Sequence, residues 1–143
     1  MFGLISSIIA GISMSLQGVF NTRLGEKIGV WETNTLVQGT GFVVTLIILF
    51  FAGNGNFSNL SSTNKLYFLG GPLGVIIIFT VMSGIENLGP TYAISTILIS
   101  QLLAAGIIDS FGLFGAEKIH FDITKFLGII IMIVGIIVFK WKH

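Results

Sequence analysis

The sequence contains no cysteine, which excludes disulfides, thiolate metal sites and cysteine nucleophiles and leaves the redox compartment open. It is also poor in charge. Only 9% of its 143 residues are Asp, Glu, Lys or Arg, against roughly 25% in an ordinary soluble domain. With a net charge of +1 it presents no broad basic surface for nucleic acid. Its two histidines, His120 and His143, fall outside the apolar runs. There is no His-Glu-x-x-His helix, no phosphate-binding glycine loop followed by lysine and no nucleophile elbow. No catalytic set, metal site or cofactor motif can be marked, so the chain is not expected to be an enzyme.

What is present is hydrocarbon. Hydrophobic residues make up 53% of the chain, and five runs approach the ~20 apolar residues that a helical span requires. They cover Phe2–Asn21, Thr33–Ala52, Leu66–Gly84, Thr91–Phe111 and Lys125–Trp141. Each is about twice the length of a barrel strand and lacks the strand's alternating pattern. An all-α integral membrane protein with about five transmembrane helices follows. The longest connections, Gly53–Lys65 and Gly112–Thr124, are too short for a soluble domain, so residues 1–143 are expected to form a single transmembrane domain. No basic residue or small-residue cleavage site marks the first run as a removable signal, and it is read as a permanent helix. Trp31, Tyr67, Tyr92 and Trp141 fall near span ends, where amphipathic rings favour the interface.

Polar residues inside the runs are arranged rather than scattered. Ser6, Ser13, Gln17 and Asn21 share one face of the first span, and Asn34, Gln38, Gly41 and Thr45 share one face of the second. Thr80, Ser83 and Asn87 form a shorter stripe on the third. In lipid such faces turn toward other helices or a hydrated cavity. The alternative is hydroxyls bonded to their own helix and amides serving as interhelical glue. Gln101 lies near the middle of the fourth span, where its amide requires a partner in another helix, a second copy or a substrate. Asp109 shares a face with Thr91 and Ser95 and is either a proton or cation site or a hydrated interfacial acid; Glu86 and Glu32 lie closer to span ends. The 19 glycines suggest close helix packing. Gly70 with Gly74 forms a G-x-x-x-G pair, and Gly128 and Gly135 stand seven apart on one face.

One segment runs from Ser83-Gly-Ile-Glu-Asn-Leu-Gly-Pro-Thr-Tyr92 through Ile99-Ser-Gln-Leu-Leu-Ala-Ala-Gly106 to Asp109-Ser-Phe-Gly112. It resembles the end of helix three and all of helix four in the drug/metabolite transporter superfamily. Together with Gly11 through Arg23 and the five-span length, the chain resembles the half-sized YdcZ-like bacterial family, related to the small multidrug resistance transporters. The resemblance implies a multi-pass protein of the bacterial inner membrane in which two inverted halves enclose one site, here two copies forming a ten-helix bundle. One departure matters. Small multidrug resistance transporters carry a glutamate in their first helix, whereas this chain has no carboxylate before Glu26 and has Gln17 in that region. A site of Ser13, Gln17, Asn21, Asn34, Gln38 and Gln101 suits a neutral or zwitterionic polar solute better than a bare cation. Asp109, and less directly Glu86, would link to a proton or ion, and the Gly128/Gly135 spacing is similar to the pattern through which small multidrug resistance proteins dimerise.

These readings combine into a secondary transporter of small organic solutes, working by alternating access. The alternatives are a non-transporting membrane subunit that binds a partner through glycine-rich faces, and a passive channel. The residues leave no room for an ATP-hydrolysing domain. With five spans, Lys65, Lys118 and Lys125 fall on the side of the N-terminus and Arg23, Lys27, Lys140 and Lys142 on the other, three against four. Lysine and arginine bias sets orientation. So small a bias points to dual topology and an antiparallel homodimer, with a paired half-sized chain as the alternative partner.

Overall fold

The computed structural model describes residues 1–119 and 122–141. His120 and His143, noted above as falling outside the apolar runs, and Lys142, counted above among the basic residues, lie outside the described residues. The described residues contain five α-helices and no strand: α1 (Phe2–Ile28), α2 (Val30–Ala52), α3 (Gly70–Leu88), α4 (Pro90–Phe111) and α5 (Ile123–Lys140). All five are long and apolar enough to cross a membrane, the third together with the 3-10 turn Lys65–Leu69 that leads into it. The all-helical, five-span architecture is therefore as expected. The helix ends depart from the apolar runs. α1 continues seven residues past Asn21 to Ile28, through a turn whose Arg23 guanidinium donates to both oxygens of Glu26 at 3.0 and 3.1 Å. Hydropathy marks where lipid ends, whereas the backbone ladder stops only where a residue breaks it.

The chain divides into two compact units, Met1–Asn87 and Leu88–His143. In the first, Gly29 alone separates α1 from α2. Its φ of 101° is open to glycine but strained for other residues. The Gly29 N–H bonds to the Gly25 carbonyl, and the Gly29 carbonyl accepts from Thr33. The chain bends here sharply enough that the Thr33 hydroxyl comes within 3.8 Å of where a Cβ on Gly25 would sit. In a straight helix these two residues would be about 12 Å apart. α3 packs across this bend. Trp31 stacks on Phe79 with centroids 5.0 Å apart, Asn34 Nδ2 donates to the Val75 carbonyl at 2.9 Å, and Gln38 Nε2 lies 3.0 Å from a Cβ position on Gly74. Ascending numbers in α2 meet descending numbers in α3, so these two helices are antiparallel. Away from the bend the helices are uncovered: every residue from Phe2 to Met14 and from Gly39 to Ala52 is exposed.

The second unit pairs α4 with α5. Gly89, at φ 78°, precedes Pro90, whose missing N–H costs nothing at the first helical position. Gly112 closes α4 in the left-handed region, and the Ile119 N–H returns to the Asp109 carbonyl at 2.9 Å. α5 begins two residues before the apolar run because the Asp122 carboxylate caps it, accepting from the Lys125 N–H at 3.1 Å. That bond is the main cause holding the exposed Asp122 carboxyl below the usual carboxylate range. One groove between the helices is lined by Gly106 and Asp109 with Lys125 and Gly128, another by Thr91 and Ser95 with Gly135 and Phe139. The Lys140 ammonium lies 4.3 Å from the Tyr92 ring centroid. These pairings make α4 and α5 antiparallel.

Candidate functional site

Four polar side chains are buried around the Gly29 bend: Asn21 and Thr22 near the end of α1, Thr33 and Asn34 at the start of α2. Close approach creates their shelter. A Cβ on Gly18 would lie 2.9 Å from Ile85 Cδ1 and 3.0 Å from Val81 Cγ1, and one on Gly25 would overlap the methyl of Met82. Only residues without side chains let α3 press this near. Met82 and Ile85 are themselves buried, so the corner is closed by apolar packing from α3.

Hydrogen bonding inside the corner is incomplete. Thr22 Oγ1 donates to the Gly18 carbonyl at 2.8 Å, and Asn34 Nδ2 ties α2 to the α3 backbone through Val75. Thr33 Oγ1 and Asn34 Oδ1 are buried with no partner among the described residues. An unsatisfied buried polar atom costs about 1–3 kcal/mol.

The residues singled out from sequence fall into distinct groups. Asn21 and Asn34 are buried at the bend, and Gln38 is half-buried against Gly74. Ser13 and Gln17 continue the α1 stripe but are exposed, as is Gln101 on α4 in the other unit. Neither Gln17 nor Gln101 has a side-chain hydrogen bond among the described residues. Thr91, Ser95 and Asp109 share the α4 face that meets α5. Gln101, one residue from Leu102 on that face, is turned about 100° away. Several hydroxyls do bond to their own helix: Ser6 to Phe2, Thr45 to Gly41, Thr80 to Ile76 and Ser95 to Thr91. At these four positions the stripe is backbone-satisfied.

Thr22, Thr33 and Met82 were not anticipated. Reading one face by offsets of 4 and 7 passes over residues adjacent in sequence, yet the pairs Asn21-Thr22 and Thr33-Asn34 flank the charged, glycine-containing turn and could have been noticed there. The two acids proposed for coupling also separate. Glu86 is exposed on α3, directly after Ile85, while Asp109 is half-buried in the α4–α5 groove that Lys125 also lines. A Cβ on Gly128 or Gly135 would meet nothing within 4 Å, so both mark open space on α5. No group of three or more metal-ligating side chains occurs among the described residues.

A family model described as "Putative inner membrane exporter, YdcZ" matches residues 2–138. The chain belongs to this family. No curated protein and no solved structure matches it. As a YdcZ-family member with five spanning helices, it is a multi-pass inner-membrane protein. The family's export description supports a transport role for it.

Proposed function

We propose that this YdcZ-family chain is a secondary transporter of small, neutral or zwitterionic polar solutes, working by alternating access as an antiparallel pair of identical copies. The observation that carries the reading is the uneven sealing of the polar stripe on α1. At Asn21 the stripe is buried behind Met82 and Ile85; at Gln17 and Ser13, toward the middle of the helix, it is uncovered. A polar wall closed at one end and open further in suits a site shut toward one membrane surface. Gln38 extends the wall on α2. Gln101 brings a mid-span amide that lipid cannot satisfy, and a solute or a second copy can. All these groups are amides or hydroxyls, which favours hydrogen-bonded solutes over bare cations.

Opening the closed end requires α3 to leave the Gly29 bend, breaking the Asn34–Val75 bond. The free oxygens of Thr33 and Asn34 would take new partners in that second state, solute or water included. Of the two acids, we assign coupling to Glu86 rather than Asp109, because Glu86, although exposed and turned about 100° from Ile85, is carried on the helix whose departure would open the corner. Counterflow in proteoliposomes, with matched neutral, zwitterionic and cationic amine solutes, tests the assignment. Saturable exchange of the neutral or zwitterionic set supports it. Linear flux would indicate a channel, and no flux would favour a non-transporting subunit.

A further inference from the structure

The groove between α4 and α5 has a chemistry that the solute site does not use. Asp109 stands three residues before the α4 C-cap and Lys125 three residues after the α5 N-cap, so both charges sit at one end of the helix pair. From there the walls run inward through Gly106 and Gly128 to Leu102 and Met132. That is seven residues on each helix, about 10 Å of depth. The groove encloses ≈ 300 Å³. Beyond its charged mouth it is apolar, and the space above Gly128 is empty out to 4 Å. The Asp109 carboxylate has neither an ion pair nor a side-chain hydrogen bond among the described residues.

We propose that this groove binds one phospholipid with a primary-amine headgroup, its ammonium on Asp109, its phosphate toward Lys125 and its upper acyl chain along Gly106 and Gly128. The charges at the mouth select this occupant. A carboxylate from α4 and a lysine from α5 lining one mouth complement a headgroup that carries both signs, whereas a purely anionic lipid would be repelled by Asp109. The depth places an acyl chain, not a water-soluble solute, against the apolar walls. A primary ammonium can donate N–H bonds to the carboxylate; a quaternary one cannot. The inference is independent of the solute-site reading, which uses none of these residues.

Native mass spectrometry of the full chain in mild detergent tests it, with synthetic phosphatidylethanolamine, phosphatidylcholine and phosphatidylglycerol of identical acyl chains. The expected result is one retained phosphatidylethanolamine per chain, bound about tenfold more tightly than phosphatidylcholine, the yield of one charge-assisted hydrogen bond. Asp109→Asn should erase that preference. Gly128→Leu, which fills open space, should lower retention of every lipid, and Ala105→Leu should do the same from the opposite wall if the first variant fails to fold. Equal retention of the amine and choline lipids would overturn the proposal, as would a preference for phosphatidylglycerol or an amine-lipid adduct unchanged in a folded groove-filling variant.

Discussion

A threonine hydroxyl buried without a partner among the described residues carries a cost, and Thr33 makes it measurable. Thr33→Val keeps the shape and removes only the unsatisfied group, so thermal stability in detergent should hold or rise, by up to the ~1–3 kcal/mol that such burial costs. Under the proposed cycle, in which the hydroxyl takes a partner only in the other state, solute flux should fall in the same variant. A lowered melting temperature would mean that the hydroxyl already has a structural partner. Gln101→Leu suits lipid and should leave insertion and helicity intact while weakening solute affinity on the order of tenfold, the worth of one hydrogen bond. Unchanged apparent affinity in a flux assay would remove Gln101 from the site. Glu86→Gln should flatten the pH dependence of transport; a surviving pH profile would detach Glu86 from coupling.

Among the elements, the α1–α2 bend has a geometry that depends on Gly29, the single residue between the two helices. Gly29→Ala places a Cβ at positive φ and into the Glu32 carboxylate. It should cost about 1–3 kcal/mol, read by thermal denaturation, whereas Gly128→Ala should cost close to nothing because its Cβ meets open space. The start of α5 carries a pH signature. Asp122 is held ionised by the Lys125 N–H, its folded pKa lying below the unfolded one. The cap's contribution is therefore complete above the ordinary carboxylate range and is lost as pH falls through the lowered folded pKa. Asp122→Asn should remove that acid-range component from the unfolding profile of α5. Much of this architecture was legible beforehand: five apolar runs gave five helices, while of the stripe residues Asn21 and Asn34 are buried and Ser6, Ser13, Gln17 and Thr45 are exposed. Helix ends were less legible, since the charged Arg23, Glu26 and Lys27 end the apolar run while the backbone stays helical. The closing of the corner by α3 was not legible. It exists because Gly18 and Gly25 let Val81, Met82 and Ile85 approach, and that pairing of distant residues has no local pattern.

For the molecule as a whole, the uncovered halves of α1 and α2 are compatible with lipid for their leucines and phenylalanines but not for Gln17. A second copy would meet that need, and the near-balanced count of three basic residues against four leaves orientation weakly specified. Two oppositely inserted copies would supply the inverted halves that alternating access uses. Adding two or three lysines to one side of the membrane should lock a variant in a single orientation, and the converse variant can be locked the other way. The decisive measurement is saturable solute flux in cells expressing each locked variant alone and both together, with C-terminal reporters confirming orientation. The account predicts little flux from either variant alone and restored flux from the pair. Full flux from one locked variant, with every C-terminus on the same side, would contradict it.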